Sequence, residues 1–182
     1  SFGSLVTRGT GAIELGSGLA FTGATGSFVQ GGSFKAKTAG QFAVFDQLTT
    51  TAGEIGIDAG GQIVLSKASG SAAISLKSTS GNVIVTGDIK ASGAIDLRSD
   101  GSLGFVNLKA GGSISASAAD ALDAGFASAQ AIGLESRGGS VALTGTLDAA
   151  SNLPSGGAIE VIAFESIEVA DGVQLRADAD QT

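Results

Sequence analysis

The sequence predicts an all-β chain coiled as a right-handed parallel β-helix, a β-solenoid of about nine rungs with about 20 residues and three short strands per rung. The first observation behind this is local. From Gly53 to Ala116, short apolar-x-apolar runs are separated by Gly, Ser, Asp or Asn. Such alternation turns one face in and one face out, as in a strand and not a helix. The second is a beat: Ile55, Ile74, Ile95 and Ile114 stand 19, 21 and 19 apart, and Ile63, Val83 and Leu103 stand 20 and 20 apart. A fixed period brings the chain back to the same place on every turn.

The third observation is that three registers share the beat. One runs Ile13, Phe34, Ile55, Ile74, Ile95, Ile114 and then Ile132 or Leu134. A second runs Phe21, Phe42, Ile63, Val83, Leu103, Leu122, Val141 and Ile159. A looser third runs Phe28, Leu48, Ala68, Ile89, Leu108, Phe126, Leu147 and Ile167. Three registers imply three strands per turn and three parallel sheets around one narrow core. The general preference of parallel crossovers makes the coil right-handed.

Taken in order, residues 1–182 read as one solenoid segment. Residues 1–50 are Phe-rich, with Phe2, Phe21, Phe28, Phe34, Phe42 and Phe45, which predicts a wider core filled by stacked aromatics. Residues 51–116 are the regular rungs. Residues 117–131, SAADALDAGFASAQA, could form a short helix on Ala content, but Leu103, Leu122 and Val141 keep the beat, so a degenerate rung is expected. Residues 132–176 are C-terminal rungs, interrupted by SNLPSGG from Ser151 to Gly157, a loop bulging from a corner around the only Pro. Residues 177–182 read as a frayed tail. Gly and Ser at the corners suit sharp turns and positive φ.

Composition narrows the function classes. Cys and His are absent, so there is no disulfide, no thiolate metal site and no Ser-His-Asp triad. The net charge of -7 argues against nucleic acid, which wants a basic face, and against docking to anionic lipid. No apolar run approaches the ~18 residues of a membrane span. The chain has no Met, so it reads as an excerpt of something longer or a processed product. Charge drifts along it. Arg8, Lys35 and Lys37 face Glu14 and Asp46 in the first 50 residues, whereas Arg176 faces Glu160, Glu165, Glu168, Asp171, Asp178 and Asp180 from residue 151 onward. This is either head-to-tail complementarity or an incidental drift of solvated charge.

The runs GGQIVLSKASG, SGNVIVTGDIKASGAIDLRSDGSL, LKAGGSISASA and RGGSVALTGTLDAAS, within residues 50 to 176, resemble the repeats of filamentous haemagglutinin-like adhesins. These are large exoproteins of Gram-negative bacteria, typically exported by two-partner secretion. The resemblance implies a right-handed β-helical shaft, a secreted or cell-surface location, and roles in attachment, biofilm formation or toxin delivery. The Asn-Pro-Asn turns of that family's secretion domain are not found, so the resemblance is to shaft and not to secretion signal.

Candidate chemistry is sparse. Glycoside hydrolysis needs two carboxylates about a bond, and Asp96 with Asp100, Asp120 with Asp123, or Glu165 with Glu168 lie near one another. Asp96 and Glu168 alternate with inward apolar residues and so should be solvated surface charges. Arg98, on the face of Asp96, is the one nearby base for a lyase. Asp178 and Asp180 could ligate calcium with a neighbouring chain, yet fall short of the 6–8 oxygens calcium takes. The pairs Gly31–Gly32, Gly60–Gly61, Gly111–Gly112, Gly138–Gly139 and Gly156–Gly157 precede no Gly-Lys-Ser/Thr and read as corners, not phosphate loops. The Thr49–Thr51 cluster does not repeat at the beat. No catalytic, metal or cofactor-binding residue is therefore assigned.

The expected function is structural, the shaft of a surface adhesin or filament. Its partners would be neighbouring segments of the same chain or other copies end to end, and a host or matrix surface met through a tip outside this chain. The alternatives are a fragment of a β-helical polysaccharide lyase or glycosidase, and a binding module that uses the Ser151–Gly157 loop or the Phe-rich end.

Overall fold

The computed structural model describes residues 2–6, 10–151 and 157–179. In chain order the strands begin with β1 (Phe2–Val6), β2 (Ala12–Ser17), β3 (Phe21–Gly31), β4 (Ser33–Thr38), β5 (Phe42–Thr50), β6 (Ile55–Ala59) and β7 (Ile63–Gly70). Next come β8 (Ile74–Ser78), β9 (Val83–Ala91), β10 (Ile95–Ser99), β11 (Leu103–Ala110), β12 (Ser113–Ala118) and β13 (Leu122–Ala129). The last are β14 (Ala131–Ser136), β15 (Val141–Leu143), β16 (Leu147–Ser151), β17 (Ala158–Ala163), β18 (Ile167–Val169) and β19 (Leu175–Ala179). No helix occurs among the described residues, so none there is long and apolar enough to cross a membrane.

The chain is a parallel β-solenoid of about 7 turns, fewer than the nine expected. One turn is longer than the others. The steps Ile132 to Ile159, Val141 to Ile167 and Leu147 to Leu175 are 27, 26 and 28 residues. All three exceed the beat, and their overlap places the extra residues between Leu147 and Ile159. Residues 152–156 of the expected loop lie outside the described residues. The longer step also moves two assignments: Ile159 belongs to the first column, beside Ile132, and Ile167 to the second, beside Val141.

Two hydrogen-bonded sheets form, not three. An 8-stranded sheet stacks β2, β4, β6, β8, β10, β12, β14 and β17, and an 11-stranded sheet holds the rest. The second and third registers share one bent strand for most of the rod. In β7, Ile63 and Leu65 are buried and then Ala68, so the inward phase slips by one residue at Ser66 and Lys67. Its neighbour β9 takes one residue more, from Val85 to Ile89, and the ladder register shifts there. A bulge of this kind bends a strand without ending it. Only in the last two turns does the bend break, giving β15 with β16 and β18 with β19.

The first column is in register from Ile13 through Phe34, Ile55, Ile74, Ile95, Ile114 and Ile132. Every one of these side chains is buried. Each β-branched side chain lies beside its equivalent one rung away, which suits a pleated surface. In the third column Leu48 pairs with Val29, and Leu108 with Ala127. Phe28 and Phe126 therefore stand one place out from the expected register, and Phe126 is half-buried while Ala127 is buried. At the N-terminal end Phe21 stacks on Phe42 with centroids 5.3 Å apart, and Phe34 meets Phe42 at 5.9 Å. The side chains of Phe2, Phe28 and Phe45 lie outside those described. Residues 117–131 keep strand and register through β12, β13 and β14, with Ala118, Ala124, Ala127 and Ala129 in the core.

One corner carries a polar ladder that apolar periodicity does not show. Thr38, Ser78, Ser99 and Ser136 are buried. Ser99 Oγ lies 2.7 Å from the Gly81 carbonyl and 2.9 Å from the Ser102 carbonyl, donating to one, and accepts the Gly101 N–H at 3.2 Å. Ser78 repeats this with Gly61 and Gly81, and Ser136 with Asp120 and Gly139. The signal was present as the recurring ISLKS, IDLRS and IGLES. Ser99→Val should lower stability by about 1–2 kcal/mol, since it strips buried backbone groups of their partner. Urea denaturation of the variant checks this, and an unchanged midpoint would count against a stabilising role.

Candidate functional site

The outer face of the 8-stranded sheet and the corner after β14 gather half of the chain's ten basic residues: Lys35, Lys37, Lys77 and Arg98 on the strands and Arg137 at the corner. Inward Ile and Leu leave alternate positions pointing to solvent, and in-register stacking turns those positions into columns along the rod. One column runs Glu14, Lys35, Gly56, Ser75 and Asp96. The next runs Gly16, Lys37, Asp58, Lys77 and Arg98.

Ion pairs pin part of this face. Lys35 Nζ is 2.9 Å from Glu54 Oε1, Arg98 Nε is 3.1 Å from Asp96, and Arg137 reaches Asp100 at 3.5 Å across an intervening rung. Lys35 is held above the ordinary lysine pKa, first by its hydrogen bond to Glu54, then by that carboxylate's charge. The raised value means that this contribution is present wherever lysine is charged and is lost only as pH rises through the alkaline lysine range. It leaves neutral pH unaffected. Such exposed pairs contribute little stability.

Between the pins the face is low. An open groove of about 720 Å³ spans β2 to β8 over Gly16, Gly56 and Ser75. A smaller one of about 320 Å³ spans β8 to β14 over Ser115 and Ser117, and Lys77 lines both.

The carboxylate pairs weighed for catalysis are not brought together about a cleft. Asp96 is engaged by Arg98 on the open face, and Asp100 lies at the following corner. Asp120 is an exposed corner residue and Asp123 an exposed outward residue of β13. Glu165 sits at a corner 3.3 Å from Ser140 Oγ, with Glu168 outward on β18. Asp178 lies on β19 and Asp180 outside the described residues. Thr49 accepts from Gln47, whereas Thr50 turns inward and donates to the Gly53 carbonyl at 2.7 Å. Among the described residues, no group of three or more His, Cys, Asp or Glu could hold a metal ion.

No family model, curated protein or solved structure matches the chain.

The pairs Gly31–Gly32, Gly60–Gly61, Gly111–Gly112 and Gly138–Gly139 sit at or beside corners, but for a different reason than positive φ; Gly156 of the fifth pair lies outside the described residues. Among the described residues only Gly172 has positive φ, at 81°. What the corners require is close approach: a Cβ at Gly60 would lie 2.0 Å from the Ala39 carbonyl oxygen, and one at Gly111 would lie 2.2 Å from that of Ser92.

Proposed function

We propose that this chain is a structural segment, part of the shaft of a secreted bacterial surface adhesin or filament of the filamentous haemagglutinin-like kind. In this reading the coil is right-handed, lies outside the cell, and holds a binding tip away from the surface in attachment or biofilm formation. One observation carries it: the apolar columns run unbroken from rung to rung, and the last described turn leaves them open. Ile167, Val169 and Leu175 of that turn are 48%, 54% and 54% exposed, whereas their equivalents Val141, Leu143 and Leu147 are buried. A rung of the same geometry supplied by another copy would cover them. A row of unpaired strand edges is also a template for another strand.

The enzymatic alternative has less support, because Asp96 pairs with Arg98 on an open face, and Asp120, Asp123, Glu165 and Glu168 are exposed at corners or on outward strand positions. Negative-stain electron microscopy of the purified chain at several concentrations tests the proposal. Straight rods, or filaments one subunit wide at high concentration, are expected. Compact, isometric particles at every concentration would sink the shaft reading.

A further inference from the structure

We propose that the outer face of the 8-stranded sheet binds a linear, uncharged polysaccharide, laid along the stack with one sugar ring to each rung or nearly so. This goes beyond the shaft reading and does not depend on it. The two grooves share Lys77 and together cross the strands from β2 to β14. They follow one another along the solenoid axis, with the Asp96–Arg98 pair on the rung beside Lys77, so a polymer could contact both where a compact molecule would fill only one.

The floor is kept low where nothing in the backbone demands it. A Cβ at Gly56 would meet only Lys35 Cγ, at 3.9 Å, and one at Gly133 only the Ile114 oxygen, at 4.0 Å. Neither has positive φ. Glycine inside a strand weakens the sheet, and where the fold does not need it, it marks a place where something comes close to the backbone. Gly56 and Ser75 are register neighbours and both line the larger groove, which therefore has a small-residue floor two rungs wide, while Ser115 and Ser117 floor the smaller one and Gly133 continues the column of Ser115 beyond it.

The walls identify the class of ligand. Lys37, Asp58 and Lys77 follow one another on successive rungs, giving donor, acceptor and donor at the ladder repeat. Among the described residues Lys37 and Lys77 make no ion pair within 4.0 Å, unlike Lys35, Arg98 and Arg137. Across both grooves five cationic side chains face five anionic ones, Glu14, Glu54, Asp58, Asp100 and Glu135. A balanced lining offers a polyanion no net attraction, which sets aside nucleic acid and acidic glycans. Hydroxyl groups, each both donor and acceptor, satisfy ammonium and carboxylate alike. A β-1,4-linked hexose chain is an extended ribbon whose rise per ring is slightly longer than the rung spacing of ~4.8 Å, so a few successive rings can meet successive rungs. An added peptide strand is disfavoured, because the strands from β4 to β14 are already paired on both edges.

The test is titration calorimetry of the purified chain with the β-1,4-linked glucose hexamer. The α-1,4-linked glucose hexamer and the hexamer of galacturonic acid serve as coiled and acidic comparators. Gly56→Leu fills the floor and Lys77→Ala removes the donor common to both grooves, each variant first matched to the parent by circular dichroism. The expected result is binding of the β-linked hexamer ahead of both comparators, weakened about tenfold by Lys77→Ala, the size of one lost charged hydrogen bond, and at least as much by Gly56→Leu. No heat with the β-linked hexamer, stronger binding of the acidic one, or unaltered affinity in folded Lys77→Ala would overturn the proposal. Lys77 is exposed, so its variant keeps the test decisive even if Gly56→Leu fails to fold.

Discussion

Ile95→Asp should abolish cooperative folding of the central rungs. Ile95 is 1% exposed, and its partners on either side, Ile74 and Ile114, are 0% and 1% exposed. A carboxylate there meets a column of hydrocarbon with no cation inside it. The expected cost is on the order of 4–5 kcal/mol or more, comparable with the whole stability of a marginal domain. A solenoid rung touches only its neighbours, so the damage is confined to one level and separates the rod into two arms. Thermal melting by circular dichroism should show a lost or divided transition, and limited proteolysis should cut first near residues 74–114. A parent-like melting temperature would mean that Ile95 does not face the core.

The second large effect comes from one substitution made at two glycines of the same turn. At Gly60 an added methyl carbon would lie 2.0 Å from the oxygen and 2.7 Å from the carbon of the Ala39 carbonyl. Both are backbone atoms that cannot rotate away, so rung spacing must widen locally. Gly60→Ala should destabilise by about 2–3 kcal/mol, as overpacking does elsewhere. At Gly56 the same methyl has room and the backbone φ is not positive. Gly56→Ala should be neutral or stabilising by about 0.4–1 kcal/mol through the unfolded chain. Urea midpoints of the two proteins read the contrast directly. Equal losses would show that corner approach is not what selects glycine.

The columns were legible in the sequence because apolar spacing and stacking register are the same quantity in a coil. Ile55, Ile74, Ile95 and Ile114 stand in one file for that reason. What spacing alone could not resolve was the bend inside β7, β9 and β11, where the number of residues between inward positions changes from turn to turn. Choosing the larger apolar side chain there put Phe126 in the column, yet the narrow core takes Ala127. The extra residues between Leu147 and Ile159 then carried Ile159 and Ile167 into the wrong files. Ser99 and its counterparts were missed because a buried hydroxyl leaves no mark on an apolar pattern. The outer grooves were hidden for a further reason: Lys37, Asp58 and Lys77 become neighbours only after register is known.

The direction of the hydrogen bonds has a mechanical consequence. Every ladder runs parallel, rung on rung, so the bonds between strands point along the axis of the rod. A pull on its two ends would load them one rung at a time, by peeling and not by shear. Each rung released frees about 20 residues, or roughly 70 Å of extended chain at ~3.4 Å per residue, in exchange for the ~4.8 Å it occupied in the stack. Stiff against bending, such a stack yields under tension in long, countable increments, and dissipates a sudden load over many of them.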